Sequence, residues 1–122
     1  MKHRLFVYGT LKQGQGRSVL LDGQTFLGEA QTEPHYRLFS CGPFPCLVEA
    51  EREDVAGPGV SVEGELWEVD DECLARLDAV EGVDAGLFER KFVRLVSAEE
   101  VEAYFYLGSV EGHVDAGSRW SP

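Results

Sequence analysis

The run from Phe6 to Gly16, Phe-Val-Tyr-Gly-Thr-Leu-Lys-Gln-Gly-Gln-Gly, constrains this chain more than any other stretch. An apolar segment of β type passes abruptly into a loop with three glycines and no acidic residue. Such a loop can turn backbone N–H groups toward a bound anion. Its charge setting supports that reading. The first 21 residues carry Lys2, Arg4, Lys12 and Arg17 and no Asp or Glu, in a chain of net charge −11. The spacing is not Gly-x-x-x-x-Gly-Lys-Ser/Thr, nor the Gly-x-Gly-x-x-Gly of dinucleotide binders. A small carboxylate or a polarised carbonyl is therefore the expected ligand. Ordinary turn glycines in a hairpin or crossover loop are the alternative.

The 122 residues, 43% of them hydrophobic, fit a single domain spanning 1–122 with one core. Met1-Lys2-His3-Arg4 ahead of Leu5 to Tyr8 resembles a signal n-region, but the apolar run is too short and breaks at Gly9. No run approaches membrane-spanning length. A cytoplasmic protein is expected, without a membrane partner. With 22 acidic against 11 basic residues and no Lys/Arg cluster, a nucleic-acid partner is not expected either. Thirteen of the acidic residues fall between Glu49 and Asp84, which predicts an electronegative mouth that favours cationic groups. Oligomeric state is left open.

Cys41, Cys46 and Cys73 form an odd set without a Cys-x-x-Cys pair, so they are read as reduced, mostly buried thiols. His3, His35 and His113 are scattered, and no metal site is expected.

Period-two apolar alternation, broken by Gly and Pro, predicts a strand-rich architecture. Strands are expected at 5–8, 25–32, 36–39, 46–50, 60–69, 88–96 and 101–107, with Gly42-Pro43-Phe44-Pro45 a rigid turn. In 60–69, Val60, Val62, Gly64 and Leu66 fall on one face, and Ser61, Glu63, Glu65 and Trp67 on the other. Residues 109–122 read as an irregular tail in which Trp120 is an apolar anchor. Tyr104 and Tyr106 share a strand face, fitting either core or a pocket wall.

One segment changes period. Asp70-Asp71-Glu72 offers a helix N-cap and an acidic first turn, Leu74, Leu77 and Val80 share a face, and Gly82 is a stop, predicting a helix over 71–81. Glu81 follows Leu77 by four residues and Leu74 by seven, so a carboxylate sits on the apolar side at the last turn. Burial and the negative helix end both raise its pKa, which suits a general base that must return its proton. The alternative is a frayed-end residue in solvent, paired with Arg76 or Arg90.

Val7-Tyr8-Gly9-Thr10-Leu11-Lys12, Glu63-Gly64-Glu65-Leu66-Trp67-Glu68-Val69-Asp70, Leu77-Asp78-Ala79-Val80-Glu81-Gly82 and Phe88-Glu89-Arg90, in this order, closely resemble the γ-glutamylcyclotransferase family. The Tyr-Gly-Thr-Leu-Lys start looks most like its γ-glutamylamine cyclotransferase and bacterial AIG2-like branch. The resemblance spans roughly residues 5–107. It implies an α+β fold, a small mixed β-barrel with one or two flanking helices. It also implies that Tyr8, Gly9, Thr10 and Leu11 bind the substrate through loop amides and that Glu81 is the catalytic acid/base. The implied reaction releases 5-oxoproline from a small-molecule γ-glutamyl amine or peptide, without metal or cofactor. Phe44 and Phe88 depart from relatives that often carry Tyr there. A metabolite-binding module of the same fold, or another amide-cleaving acyl transfer in the same pocket, is the competing expectation.

Overall fold

The computed structural model of the chain describes residues 2–120. Two sheets and one α-helix make up the fold. Strand β1 (Lys2–Val7) is followed by a 3₁₀ turn (Ser18–Leu21), then β2 (Thr25–Gln31), β3 (Tyr36–Ser40), β4 (Pro45–Glu49) and β5 (Glu63–Asp70). Helix α1 (Asp71–Val80), β6 (Phe88–Arg94), β7 (Glu100–Tyr106) and β8 (Asp115–Gly117) complete the chain. The larger sheet has the order β2-β5-β1-β7-β6, and the smaller one β4-β3-β8. Strand β1 lies antiparallel to β5 and parallel to β7, which makes the large sheet mixed.

Strand β1 can occupy the centre because Leu5, Phe6 and Val7 are apolar without a polar alternation, as a strand covered on both faces requires. Phe6 packs between the sheets with Leu38, Leu47 and Phe105. Leu5 and Val7 point the other way, onto Cys73, Leu74 and Leu77 of α1. Burying each such side chain contributes roughly 1.5–3 kcal/mol.

The mixed α+β architecture is as expected, but the large sheet is not closed into a barrel. Its edge strands β2 and β6 meet only at their ends, where Thr32 bridges Leu95, Glu33 N donates to Arg94 O at 2.8 Å and Val96 N donates to Gln31 O at 3.0 Å. Buried Thr32 locks that corner from the other side, since its Oγ1 accepts from Val62 N at 2.9 Å.

Several local expectations change once tertiary contacts act. Regular pairing in the 60–69 segment begins only at Glu63, because Val60 bridges to Tyr36 of the other sheet. Gly59 permits that crossing: a Cβ there would lie 2.9 Å from His35 Cα. Trp67, on the face read as polar, is only 8% exposed, since it joins the helix-side core and meets Phe26 edge-on at 5.4 Å. The helix ends one residue earlier than expected, with Glu81 as its C-cap and Gly82 at φ 68° as its stop. Asp70 caps it, accepting from Cys73 N at 2.7 Å.

The cysteine reading is corrected. Cys41 and Cys46 form a disulfide, and only Cys73 stays free and buried. The β3–β4 hairpin, turned at Gly42 (φ 84°), brings their Cα atoms to 6.1 Å, a proximity that counting and motif spacing do not reveal. The segment read as an irregular tail contains β8, which pairs with β3, and buried Trp120, whose carbonyl accepts from Lys12 Nζ at 3.1 Å. Residues 121 and 122 of that segment, and Met1 of the signal-like start, lie outside the described residues. No helix among the described residues is long and apolar enough to cross a membrane.

Gly64 and Gly16 give contrasting tests of this packing. A Cβ on Gly64 would meet Val7 O and lie 2.8 Å from Phe6 Cζ, where β5 crosses β1. Gly64→Ala is expected to cost roughly 1–3 kcal/mol, read as a lower urea midpoint. Gly16→Ala meets open space at an unstrained backbone and is expected to stay within about 0.5 kcal/mol of the parent.

Candidate active site

The end of β1 and the end of α1 converge on one cavity of about 90 Å³. Tyr8, Gly9, Thr10 and Leu11 line it, and so does Glu81. The five residues singled out from sequence are thus brought together, although 70 positions separate Leu11 from Glu81.

The loop is folded by its own carbonyls. Lys12 N donates to Gly9 O at 3.0 Å and Arg17 N to Thr10 O at 2.8 Å, while Gln13 N donates to Glu65 Oε1 at 2.9 Å. The N–H groups of Gly9, Thr10 and Leu11 have no partner among the described residues. Unpaired donors in succession beside a cavity make an anion-binding concavity. Gly9 must be glycine for steric reasons, since a Cβ would sit 2.6 Å from Pro45 Cγ.

Glu81 enters the cavity from the opposite side. Its side chain makes no hydrogen bond or ion pair among the described residues. Both arginines that might have drawn it outward are engaged elsewhere, Arg76 with Glu72 at 3.2 Å and Arg90 with Asp78 and Glu102 at 2.8 Å each. Burial raises the pKa of Glu81, against a smaller downward pull from Arg17.

The neighbouring groups are fixed in the opposite sense. Tyr8 donates its hydroxyl to Tyr104 O at 2.5 Å, and Tyr104 donates its own to Asp78 Oδ1 at 2.7 Å. Burial raises the pKa of both phenols, with Glu81 adding to it at Tyr8 and the Asp78 hydrogen bond adding to it at Tyr104. Burial also pushes Asp78 up, but hydrogen bonds from Arg90 and Tyr104 outweigh it and hold that carboxyl below its usual range. Arg90 grips Asp78 through Nε at 2.8 Å and Nη2 at 3.0 Å. Near neutral pH the tyrosines thus stay protonated and Asp78 stays ionised. Glu81 is left as the group able to exchange a proton.

The remaining wall was less legible in the sequence. Phe44 comes from the β3–β4 turn, Pro45 from the start of β4 and Phe88 from the start of β6; Phe44 and Phe88 pack at 6.2 Å. Val80 also lines the cavity, so it is 40% exposed although it shares the apolar face of Leu74 and Leu77. Of the tyrosine pair, Tyr104 lines the cavity while Tyr106 packs on Phe88 at 5.4 Å. Arg17 lines the cavity too, signalled in sequence only by its membership of the basic N-terminal stretch. Among the thirteen acidic residues of 49–84, only Glu81 belongs to the lining. Among the described residues no three His, Cys, Asp or Glu side chains gather as a metal-binding group.

The chain has relatives among known proteins, and its fold has a counterpart among solved structures. A Vibrio cholerae protein named as a candidate gamma-glutamylcyclotransferase is 40% identical over 83 residues, covering 68% of this chain and 65% of that protein. An Arabidopsis thaliana protein named in the same way is 39% identical over 103 residues, 78% of this chain and 52% of its own. The chain thus spans about half to two thirds of the length of these two relatives. The crystal structure of a uropathogenic E. coli-specific protein superposes with a TM-score of 0.82 at 25% identity, covering 98% of this chain and 93% of that one. The family model for gamma-glutamyl cyclotransferase, AIG2-like, matches residues 5–122. On this match and on the relatives' identity, the chain belongs to the AIG2-like gamma-glutamyl cyclotransferase family.

Proposed function

We propose that the protein is a cyclotransferase that converts a γ-glutamyl amine or γ-glutamyl peptide into 5-oxoproline and a free amine. The observation that carries the reading is the pairing, across one cavity, of a carboxylate of raised proton affinity with three unpaired backbone N–H groups. The loop amides of Gly9 to Leu11 receive the α-carboxylate and the γ-carbonyl oxygen. Glu81 takes a proton from the α-ammonium, and the freed amine attacks the γ-carbonyl carbon, closing a five-membered ring. The N–H donors hold the oxyanion that forms. Glu81 then returns its proton to the departing nitrogen, the old amide C–N bond breaks, and the remaining extra proton of the ring nitrogen passes to the departing amine, which leaves as an ammonium while the lactam is neutral and the Glu81 carboxylate is regenerated for the next turnover. The closed wall of Phe44, Pro45 and Phe88 favours the folded-back conformer that ring closure needs.

Incubation with γ-glutamyl amines and dipeptides is expected to release 5-oxoproline, detected by mass. Glu81→Gln keeps the shape but cannot accept a proton, and its turnover is expected to fall by about two to four orders of magnitude. Undiminished turnover in a folded Glu81→Gln protein would remove the assigned role. Binding of γ-glutamyl compounds by a parent protein that never turns them over would favour the metabolite-binding module.

The raised pKa of Glu81 gives the same substitution a second readout. Folding favours the protonated carboxyl, so its stabilising contribution is full below the unfolded pKa and is lost as pH rises through the folded one. At pH 7 the wild type carries that loss and the glutamine variant does not. Glu81→Gln is therefore expected to melt at the same temperature as the parent or higher at pH 7, with the difference shrinking toward pH 4. A lower melting temperature at pH 7 would contradict the burial of an unpaired carboxylate.

Gly9→Ala probes the opposite wall. The added methyl would press on the Pro45 ring, so the loop must shift. Displacement of the donors on the scale of an ångström is expected to reduce kcat/KM by roughly a hundredfold, with the fold intact by circular dichroism.

A further inference from the structure

We infer that Arg90 is a positioning residue, one that sets Glu81 at its working distance from the loop amides by holding the last turn of α1 against β6 and β7. The inference rests on the cyclotransferase reading and adds to it a residue outside the cavity lining.

Core packing brings α1 to the site but stops short of its end. Cys73, Leu74 and Leu77 are buried, whereas Ala79 and Val80 are exposed, Val83 is only partly covered, and the next buried side chain is Phe88. The turn that carries Glu81 is therefore held through Asp78, the residue of that turn whose side chain bonds to the sheet.

Arg90 is built for that task. Its Nε and Nη2 donate to the two oxygens of Asp78 at 2.8 and 3.0 Å, and its Nη1 donates to both oxygens of Glu102 at 2.8 and 2.9 Å. Tyr104, directly opposite Arg90 in the β6–β7 ladder, adds its hydroxyl to Asp78 Oδ1 at 2.7 Å. Contacts spread around one planar group fix an orientation as well as a separation, which an ammonium cannot do. Helix α1 has no basic residue in its last turn, so the guanidinium is also the cation that a negative helix end favours. As an ion pair the contact adds little to stability, because Arg90 and Asp78 are 25% and 26% exposed.

The glycine loop is held separately. Tyr8 bonds to the backbone carbonyl of Tyr104, which is kept in place by strand pairing that a change of the Arg90 side chain leaves intact. Loss of the guanidinium therefore moves Glu81 and leaves the loop amides where they are. That asymmetry separates positioning from general support of the fold.

The experiment measures kcat and KM for 5-oxoproline release from γ-glutamyl-alanine or ε-(γ-glutamyl)-lysine, whichever the parent turns over faster, and amide hydrogen exchange by NMR. The proteins are the parent, Arg90→Lys and Arg90→Gln. Arg90→Lys is expected to lower kcat roughly tenfold and Arg90→Gln roughly a hundredfold, with KM within about twofold of the parent, since misplacement of a reacting group by an ångström costs about that much. The amides of Glu81, Gly82 and Val83, which donate to Leu77, Ala79 and Asp78 carbonyls, are expected to exchange faster in both variants. Those of Lys12 and Arg17, bonded within the glycine loop, are expected to keep the parent's rate. An unchanged kcat in folded variants overturns the inference, and so does a rise in KM alone or a uniform rise in exchange over both segments. If Arg90→Gln does not fold, Arg90→Lys, which keeps the charge, decides alone. If the parent releases 5-oxoproline from neither compound, the cyclotransferase reading fails, and exchange decides the role of Arg90. Faster exchange confined to the helix end supports it, and equal exchange at the two segments overturns it.

Discussion

The whole arrangement hangs on the burial of β1 from both sides. Leu5 and Val7 face α1 while Phe6 faces the second sheet, so this strand cannot slide, tilt or reach the surface without exposing one core or the other. A register slip by one residue would exchange the two sets of side chains. Because the strand is pinned, the point where it stops is pinned as well, and the glycine loop leaves from the middle of the molecule. The helix packed on Leu5 and Val7 delivers its last turn to that point. The meeting of loop amides and Glu81 is thus a by-product of core packing, with no contact between the two needed to create it.

A second consequence of the same packing is the split between two nearby carboxyls. Asp78 and Glu81 stand three residues apart on α1, yet their environments act in opposite directions. Asp78 spends its charge on Arg90 and Tyr104, and the Arg90 guanidinium is shared with Glu102 of β7, tying the helix to that strand. Glu81, one turn on, finds an apolar wall and no donor. Such divergence is how a fold obtains an ionised structural carboxylate and a proton-exchanging one from a single helix.

The elements visible in the sequence were those whose signal is local. The glycine loop announces itself by composition, and Glu81 by standing at a position where the helical period predicts a Leu. The strands follow from alternation at nearly every site. What could not be read depends on chain segments distant in sequence: Trp67 looks solvent-facing until the helix covers it, and Val60 looks like part of β5 until Tyr36 claims it. Cys41 and Cys46 meet because a hairpin turns between them, and the barrel implied by family resemblance stays open because its edges touch at one corner only. Arg17 and the Asp78–Arg90–Tyr104 chain escaped because a side chain's partners have no signature in spacing.

The cavity draws its walls from two sheets of different character. The loop amides, Tyr104 and Glu81 belong to the five-stranded sheet and its helix, whereas Phe44 and Pro45 ride on a hairpin of the three-stranded sheet, closed at its base by Cys41 and Cys46. No proton-transfer group sits on that hairpin. A change of bulk or polarity at its tip would therefore alter the width of the pocket without replacing the loop amides or Glu81. Pro45 alone is bound to both, because it is the surface against which Gly9 rests.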